Sequence, residues 1–230
     1  MPTAIITGAS RGLGLALARA LAERDWSLII DARGREALDR IAAELDRLTD
    51  VHAVAGDVAD DWHRAALIDA VDGPLDLLVN NASLLGPSPQ PALAEYPLPE
   101  LARVYAVNVL GPLALTQLAL PRMAADACII NVTSDAAIEP YAGWGGYGSS
   151  KAALDQCSAI LAAEQPALRV YAVDPGDMRT QMHQEAFPGE DISDRPPPEA
   201  SVPGLIELIG SQLPSGRYAA REVPTGQTSR

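Results

Sequence analysis

Short apolar runs alternate with longer segments of helical periodicity along most of the chain. The runs fall at residues 3–6, 27–31, 52–55, 75–80, 128–133 and 169–173, with a weaker one at 217–220. Their length and apolar content match strands buried in a parallel sheet. Between them, residues 13–24 are rich in Ala and Leu, and residues 36–48 carry Leu38, Ile41, Leu45 and Leu48 at three- and four-residue steps. Residues 101–123, 147–165 and 202–213 are further helical segments. Strands that alternate with helices predict an open parallel sheet covered on both faces, joined by right-handed crossovers.

The predicted fold is therefore an α/β, Rossmann-like doubly wound sheet of about seven strands, a single domain over residues 1–223 with no internal repeat. Two segments break the rhythm. Residues 86–99 hold five prolines and read as a surface loop, and residues 177–203, rich in proline and acids, are a candidate substrate loop or lid. Residues 224–230 read as a polar tail.

Composition narrows the partners. The chain has 230 residues, 48% of them hydrophobic, and a formal net charge of −13. Such a surface repels nucleic-acid phosphates and anionic membranes, so neither is expected as a partner. No apolar stretch approaches the ~18 residues that span a bilayer, and no signal peptide precedes the first run, which predicts a cytoplasmic protein. Cys128 and Cys157 read as thiols in a reducing compartment. His52, His63 and His183 have no ligand-spaced partners, so no metal is expected.

The first run ends in Thr7-Gly8-Ala9-Ser10-Arg11-Gly12-Leu13-Gly14. Glycine here permits positive φ and close approach of the backbone to a pyrophosphate, at a helix N-terminus whose N–H groups attract anions. The spacing Gly8-x3-Gly12-x-Gly14 resembles the TGxxxGxG pattern of the classical short-chain dehydrogenase/reductase family. That resemblance implies cofactor contacts from Thr7, Gly8, Ser10, Arg11, Gly12, Leu13 and Gly14. It extends to Asp57-Val58 after the third run, to Asn80-Asn81-Ala82 after the fourth (Ser83 stands where the family has glycine), and to Pro175-Gly176 with Met178 and Thr180 after the sixth.

The second run ends Ile30-Asp31-Ala32-Arg33. NAD-binding sheets place an acid here for the ribose hydroxyls, whereas NADP binders place a cation near the 2′-phosphate. Arg33 resembles the family's NADP-binding arginine and Arg11 a second cation, so NADP(H) is expected rather than NAD(H). A shift of one residue would instead make Asp31 the NAD-selecting acid.

Tyr147 and Lys151 lie four apart at the start of a predicted helix and share a face. An ammonium beside a phenol favours the phenolate and predicts a tyrosine pKa below its usual ~10. Ser134 ends the fifth run, thirteen residues before Tyr147, where a hydroxyl can stabilise a developing oxyanion. The resemblance makes Asn108, Ser134, Tyr147 and Lys151 the catalytic set, with Tyr147 the general acid/base and the Asn108 backbone holding a water that leads to Lys151. Tyr147 and Lys151 are also expected at the cofactor.

The substrate side says less. Ser134, Ile138, Tyr141, Trp144 and Met182, with Phe187, offer a largely apolar wall, and Asp135, Glu139 and His183 offer polar anchors. The expected activity is NADPH-dependent reduction of a small-molecule carbonyl, either a ketone, an aldehyde or a 3-oxoacyl compound. An NADP(H)-binding sensor without turnover, or an epimerase or lyase on the same scaffold, remain alternatives. The resemblance implies pairing through the helices at 101–123 and 147–165, with a homodimer favoured over a tetramer.

Overall fold

The structure, a computed structural model, describes residues 1–226; residues 227–230 of the expected tail lie outside the described residues. The strands are β1 (Thr3–Ile6), β2 (Ser27–Ala32), β3 (Val51–Ala55), β4 (Leu75–Asn80), β5 (Met123–Val132), β6 (Arg169–Asp174) and β7 (Gly216–Ala219). The helices are α1 (Gly12–Ala22), α2 (Arg35–Leu45), α3 (Asp61–Asp69), α4 (Leu98–Tyr105), α5 (Gly111–Ala119), α6 (Gly145–Glu164), α7 (Gln181–Ala186) and α8 (Val202–Gly210). The strands form one sheet in the order β3-β2-β1-β4-β5-β6-β7, and every neighbouring pair is parallel. This is the doubly wound, Rossmann-like single domain that the alternation predicts.

Adjacent residues of β1 show why the central strand runs are mostly apolar. Ile6 packs with Leu17, Leu38, Leu77 and Leu205 under α1, α2 and α8, whereas Ile5 packs with Leu67, Leu78, Leu115 and Ile129 under α3, α5 and α6. Side chains alternate between faces, and both faces are covered. Because the strand order reverses direction between β1 and β4, their carboxyl ends splay and leave a crevice there.

Several boundaries differ from the pattern-based expectation. The second helix stops at Leu45, and Leu48, expected on its core stripe, is exposed. The Leu45 carbonyl accepts the N–H of both Leu48 and Thr49, and Thr49 Oγ1 donates to the Trp26 carbonyl at 2.7 Å, turning the chain toward β3. Helix α3 was not expected, because its inward stripe begins with His63 and Arg64 before Leu67 and Ile68, while Trp62 points to solvent. Asp60 caps it, accepting the Trp62 N–H at 2.8 Å. Helix α7 lies inside the expected lid and is capped by Thr180.

The stretch expected as one helix over 101–123 begins earlier, at Leu98, and is interrupted by a π turn at Ala106–Leu110 between α4 and α5. Contrary to the composition-based expectation, Leu98–Arg122 is long and apolar enough to cross a membrane by length and composition alone. Half of its most apolar stretch is buried inside the protein, against α3, α6 and β4, as in a core helix.

Helix α8 lies directly on the chain after β7. A Cβ on Gly204 would sit 1.7 Å from the Ala220 carbonyl oxygen, which is backbone and cannot swing aside. Gly204→Ala should therefore lower stability by about 1–3 kcal/mol through overpacking. Thermal denaturation checks this: Tm is expected to fall by several degrees, and an unchanged Tm would contradict the close packing of α8.

Candidate active site

The crevice between β1 and β4 is closed at its base by one side chain. Thr7 Oγ1 donates to the Val79 carbonyl at 3.2 Å and accepts the N–H groups of Asn81 at 2.9 Å and Ala82 at 3.0 Å. Asn81 Nδ2 returns to the carbonyls of Thr7 at 2.8 Å and Gly8 at 3.2 Å. The glycine loop is thereby fastened to the Asn80-Asn81-Ala82 segment. Gly8 has φ of +67°, and a Cβ on it would lie 2.9 Å from Ala82 Cα, so both the backbone angle and the space require glycine. A Cβ on Gly14 would lie 2.5 Å from Asn81 Nδ2.

Helix α1 starts at Gly12 with no side-chain cap. Its first-turn N–H groups, which have no partners within the helix, are left for a ligand or solvent. Ser10, Arg11, Gly12 and Leu13 line a cleft of about 800 Å³. The same cleft is lined by Arg33 and Gly34 after β2, Asp57 and Val58 after β3, Asn81 to Leu84 after β4, Tyr147 and Lys151 of α6, and Pro175 and Met178 to Met182 after β6. Residues predicted from six separate stretches of sequence thus share one continuous space. The Arg11 guanidinium bonds the Gln181 side chain across its mouth, and Arg33 is exposed at the β2 end.

Asp31 is 1% exposed. Its Oδ1 accepts the Gly8 N–H at 2.6 Å, and its Oδ2 pairs with His63 Nε2 at 2.8 Å. Sequence reasoning did not join these residues, because His63 lies in the unforeseen helix α3. Arg64 of the same helix donates to the Val58 carbonyl at 2.6 Å and holds the Asp57-Val58 turn against the cleft.

Four residues expected at the cofactor do not line the cleft, and Gly14, packed against Asn81 and Gly8, is one of them. Thr7 is turned into the joint just described. Asn80 is the register partner of Asn131, so the two side chains meet on one face of the sheet, and Asn80 Nδ2 donates to Asn131 Oδ1 at 2.8 Å. Asn131 Nδ2 donates in turn to Ser158 Oγ at 2.8 Å, which spends the Asn80 amide on a buried polar ladder. Gly176, with φ of +71°, turns the chain after β6 and packs against the Arg221 guanidinium.

Asn108 is fully buried within the π turn. Its Oδ1 accepts the Leu84 N–H at 2.8 Å and the Ser83 hydroxyl at 3.2 Å, while its Nδ2 donates to the Leu84 carbonyl and to Ser150 Oγ, each at 2.9 Å. The side chain ties the loop after β4 to α6. A π turn breaks the regular backbone ladder, a feature common at functional sites.

Lys151 is 2% exposed, and its Nζ donates to the Val132 carbonyl at 2.7 Å and lies 5.5 Å from the Tyr147 ring centre. Burial pulls its pKa down to about 8. Tyr147 departs from expectation: its pKa is raised rather than lowered. Burial of the phenol dominates, the Asp174 and Asp135 carboxylates add to it, and hydrogen bonding from Ser83 and Ser134 opposes it without prevailing. Ser134 Oγ donates to Asp135 Oδ1 at 2.8 Å and accepts the Ala136 N–H at 3.2 Å.

Around Tyr147 the expected apolar wall is only partly assembled. The Trp144 ring lies 5.9 Å from Tyr147 and 5.8 Å from Phe187, both measured between ring centres. Met182 packs against the same cluster. Ile138 is 60% exposed, and Tyr141 is 48% exposed with its hydroxyl on Asp135 Oδ2 at 3.0 Å, so neither contributes a buried wall.

The chain is similar in sequence and in fold to known proteins. A benzil reductase ((S)-benzoin forming) from Saccharomyces cerevisiae is 33% identical, covering 96% of this chain and 86% of that protein. A short chain dehydrogenase structure from Pseudomonas syringae superposes with a TM-score of 0.90 at 29% identity, covering 95% of this chain and 94% of that one. A short chain dehydrogenase structure from Shigella flexneri complexed with NADP superposes with a TM-score of 0.88 at 27% identity, covering 96% and 97%. Residues 2–191 match the family model described as short chain dehydrogenase, and the chain is an oxidoreductase that belongs to that family.

Proposed function

We propose that the protein reduces the carbonyl of a small molecule with NADPH, and that Tyr147 supplies the proton. The observation that carries this reading is the shared cleft. Tyr147 and Lys151 open into the same space as the glycine loop and Arg33. Several features support a dinucleotide there: a loop turned by positive φ at Gly8 and Gly12, the uncapped start of α1, and the exposed arginine beyond β2. Arg33 and Arg11 suit a 2′-phosphate, which planar guanidinium groups bind by charge-assisted hydrogen bonds. The Shigella flexneri relative solved with NADP supports the same preference.

When bound, NADPH supplies the hydride. Tyr147 gives its phenolic proton to the substrate oxygen, as general acid. Because burial raises the phenol's pKa, the proton is on the tyrosine at neutral pH, as reduction requires. Ser134 hydrogen-bonds the same oxygen and steadies its developing charge. Lys151, anchored on Val132, places its ammonium beside the phenolate left behind. The partial ring cluster of Trp144 and Phe187 suits a carbonyl bearing an aromatic or other apolar group, in keeping with the yeast relative named for acting on benzil. Residues 177–203, including α7, serve as a lid over this end. Exposed Leu110, Leu113 and Leu118 near α5 and Ile160 on α6 support pairing of two copies through this face. Two free cysteines suit a reducing cytoplasm.

Mixing the protein with NADPH and a panel of ketones, diketones and aldehydes, and following the reduced-nicotinamide absorbance, tests the proposal. NADPH should be consumed, and Tyr147→Phe should lower the rate by about 10²–10⁴-fold, the usual share of general acid catalysis. Undiminished turnover by Tyr147→Phe would overturn the tyrosine's role.

The burial of Lys151 yields a second expectation, on stability. Its folded pKa of about 8 lies below the ordinary 10.5. Between these values the unfolded chain holds a proton that the folded chain has released, so this residue makes stability rise with pH across that window. Urea unfolding of the wild type and Lys151→Met at several pH values isolates the effect, since both share every other titrating group. The stability of the wild type relative to the variant should increase from about pH 8 to 10.5. A constant difference would contradict the burial of an ionisable amine.

A further inference from the structure

We propose that His63 is a specificity-determining residue: by engaging the Asp31 carboxylate it withdraws the acid at the end of β2 from the ribose and favours a 2′-phosphorylated dinucleotide over its unphosphorylated counterpart. The inference rests on the dinucleotide reading given above.

An acid at the end of the second strand ordinarily bonds the ribose hydroxyls and selects NAD. Asp31 stands two residues before Arg33 at that end and lines the cleft, yet both its oxygens are occupied. Oδ1 takes the Gly8 N–H at 2.6 Å, and Oδ2 takes His63 Nε2 at 2.8 Å. Each oxygen keeps a second lone pair, but a ribose hydroxyl would have to reach a carboxylate that is 1% exposed and already held from two sides. The Gly8 bond also fixes the loop residue whose φ of +67° sets the phosphate cradle.

His63 is 8% exposed, and its seat is shaped for it. A Cβ on Gly56, at the end of β3, would lie 2.2 Å from His63 Nδ1. Gly56 just after β3, His63 of α3 and Asp31 of β2 thus meet at one point. The electrostatic consequence follows from the cleft. A bare carboxylate there would repel a dianionic 2′-phosphate approaching Arg33. A hydrogen bond from an imidazole disperses that charge and keeps it turned inward. Without His63, the carboxylate is free to rotate toward the ribose, which weakens binding of the phosphorylated dinucleotide and strengthens that of the other.

Equilibrium titration of NADPH and NADH, giving Kd for each, tests this on the wild type, His63→Leu, His63→Gln and Asp31→Asn, with Arg33→Ala as reference. The wild type should prefer NADPH, and Arg33→Ala should reduce that preference. His63→Leu should reduce it by about tenfold, the size of one charge-assisted hydrogen bond. His63→Gln retains a donor and should restore most of it. Asp31→Asn removes the charge and should keep NADPH favoured. If His63→Leu does not fold, His63→Asn, a polar but shorter side chain, replaces it with the same expectation. A loss of affinity equal for both cofactors would mean a loop-supporting role only and would overturn the inference. So would a preference unchanged in His63→Leu or His63→Asn. A wild type that favours NADH would instead overturn the cofactor reading itself, and this inference with it.

Discussion

Everything in the cleft depends on how the first and fourth strands are held where the sheet reverses its winding. A parallel sheet that runs outward in both directions from β1 and β4 must open at their carboxyl ends. The Thr7 hydroxyl spans that opening, bonded to Val79, Asn81 and Ala82. With this joint in place, Gly8 approaches Ala82 closely, α1 starts with its N–H groups uncovered, and the glycine loop faces α6 across the cleft. In each of these bonds a short side chain, Thr7 or Asn81, meets backbone of the facing segment, so the joint is set by the spacing of the two strand ends.

A second layer of fixing lies around the joint. Asn108 ties the loop after β4 to α6, the ladder of Asn80, Asn131 and Ser158 ties β4 and β5 to α6, and Asp31 ties β2 to the glycine loop. Buried amides and carboxylates of this kind are costly unless every polar atom finds a partner. The polar bonds around the cleft therefore do two things at once: they satisfy buried groups and they hold the loops and helix that line the cleft in place. The acidic surface is no obstacle to an anionic ligand here, because a helix N-terminus and two arginines line this cleft.

The central strands were legible in the sequence because β1, β2, β4 and β6 and the second half of β5 are buried on both faces and mostly apolar, whereas the edge strands β3 and β7 are only partly buried, and β7 gave the weakest run. Helix α3 was not, because its inward stripe opens with His63 and Arg64, and a pattern of apolar positions cannot show a stripe that begins with charged or polar groups. That omission concealed the partner of Asp31. Motif spacing located Tyr147, Lys151 and the glycine loop, which depend on local geometry along one helix or one turn. It could not show that Asn80 faces a neighbouring strand, since that follows from register with Asn131. Nor could it give the sign of the Tyr147 shift. The lysine four residues away suggested a lowered pKa, but burial is a property of the whole fold, and here it outweighs the hydrogen bonds from Ser83 and Ser134.

The central claim is that hydride passes from the dinucleotide to a carbonyl carbon while Tyr147 protonates the oxygen. Isotope transfer tests it most directly. The protein would be incubated with NADPH dideuterated at C4 and the simple ketone it reduces fastest, and the product alcohol examined by mass spectrometry and proton NMR. The account predicts one deuterium on the new carbinol carbon, and none there when unlabelled NADPH is used in deuterated water. A product whose carbinol carbon takes its hydrogen from solvent, or NADPH oxidised without forming any alcohol, would contradict it.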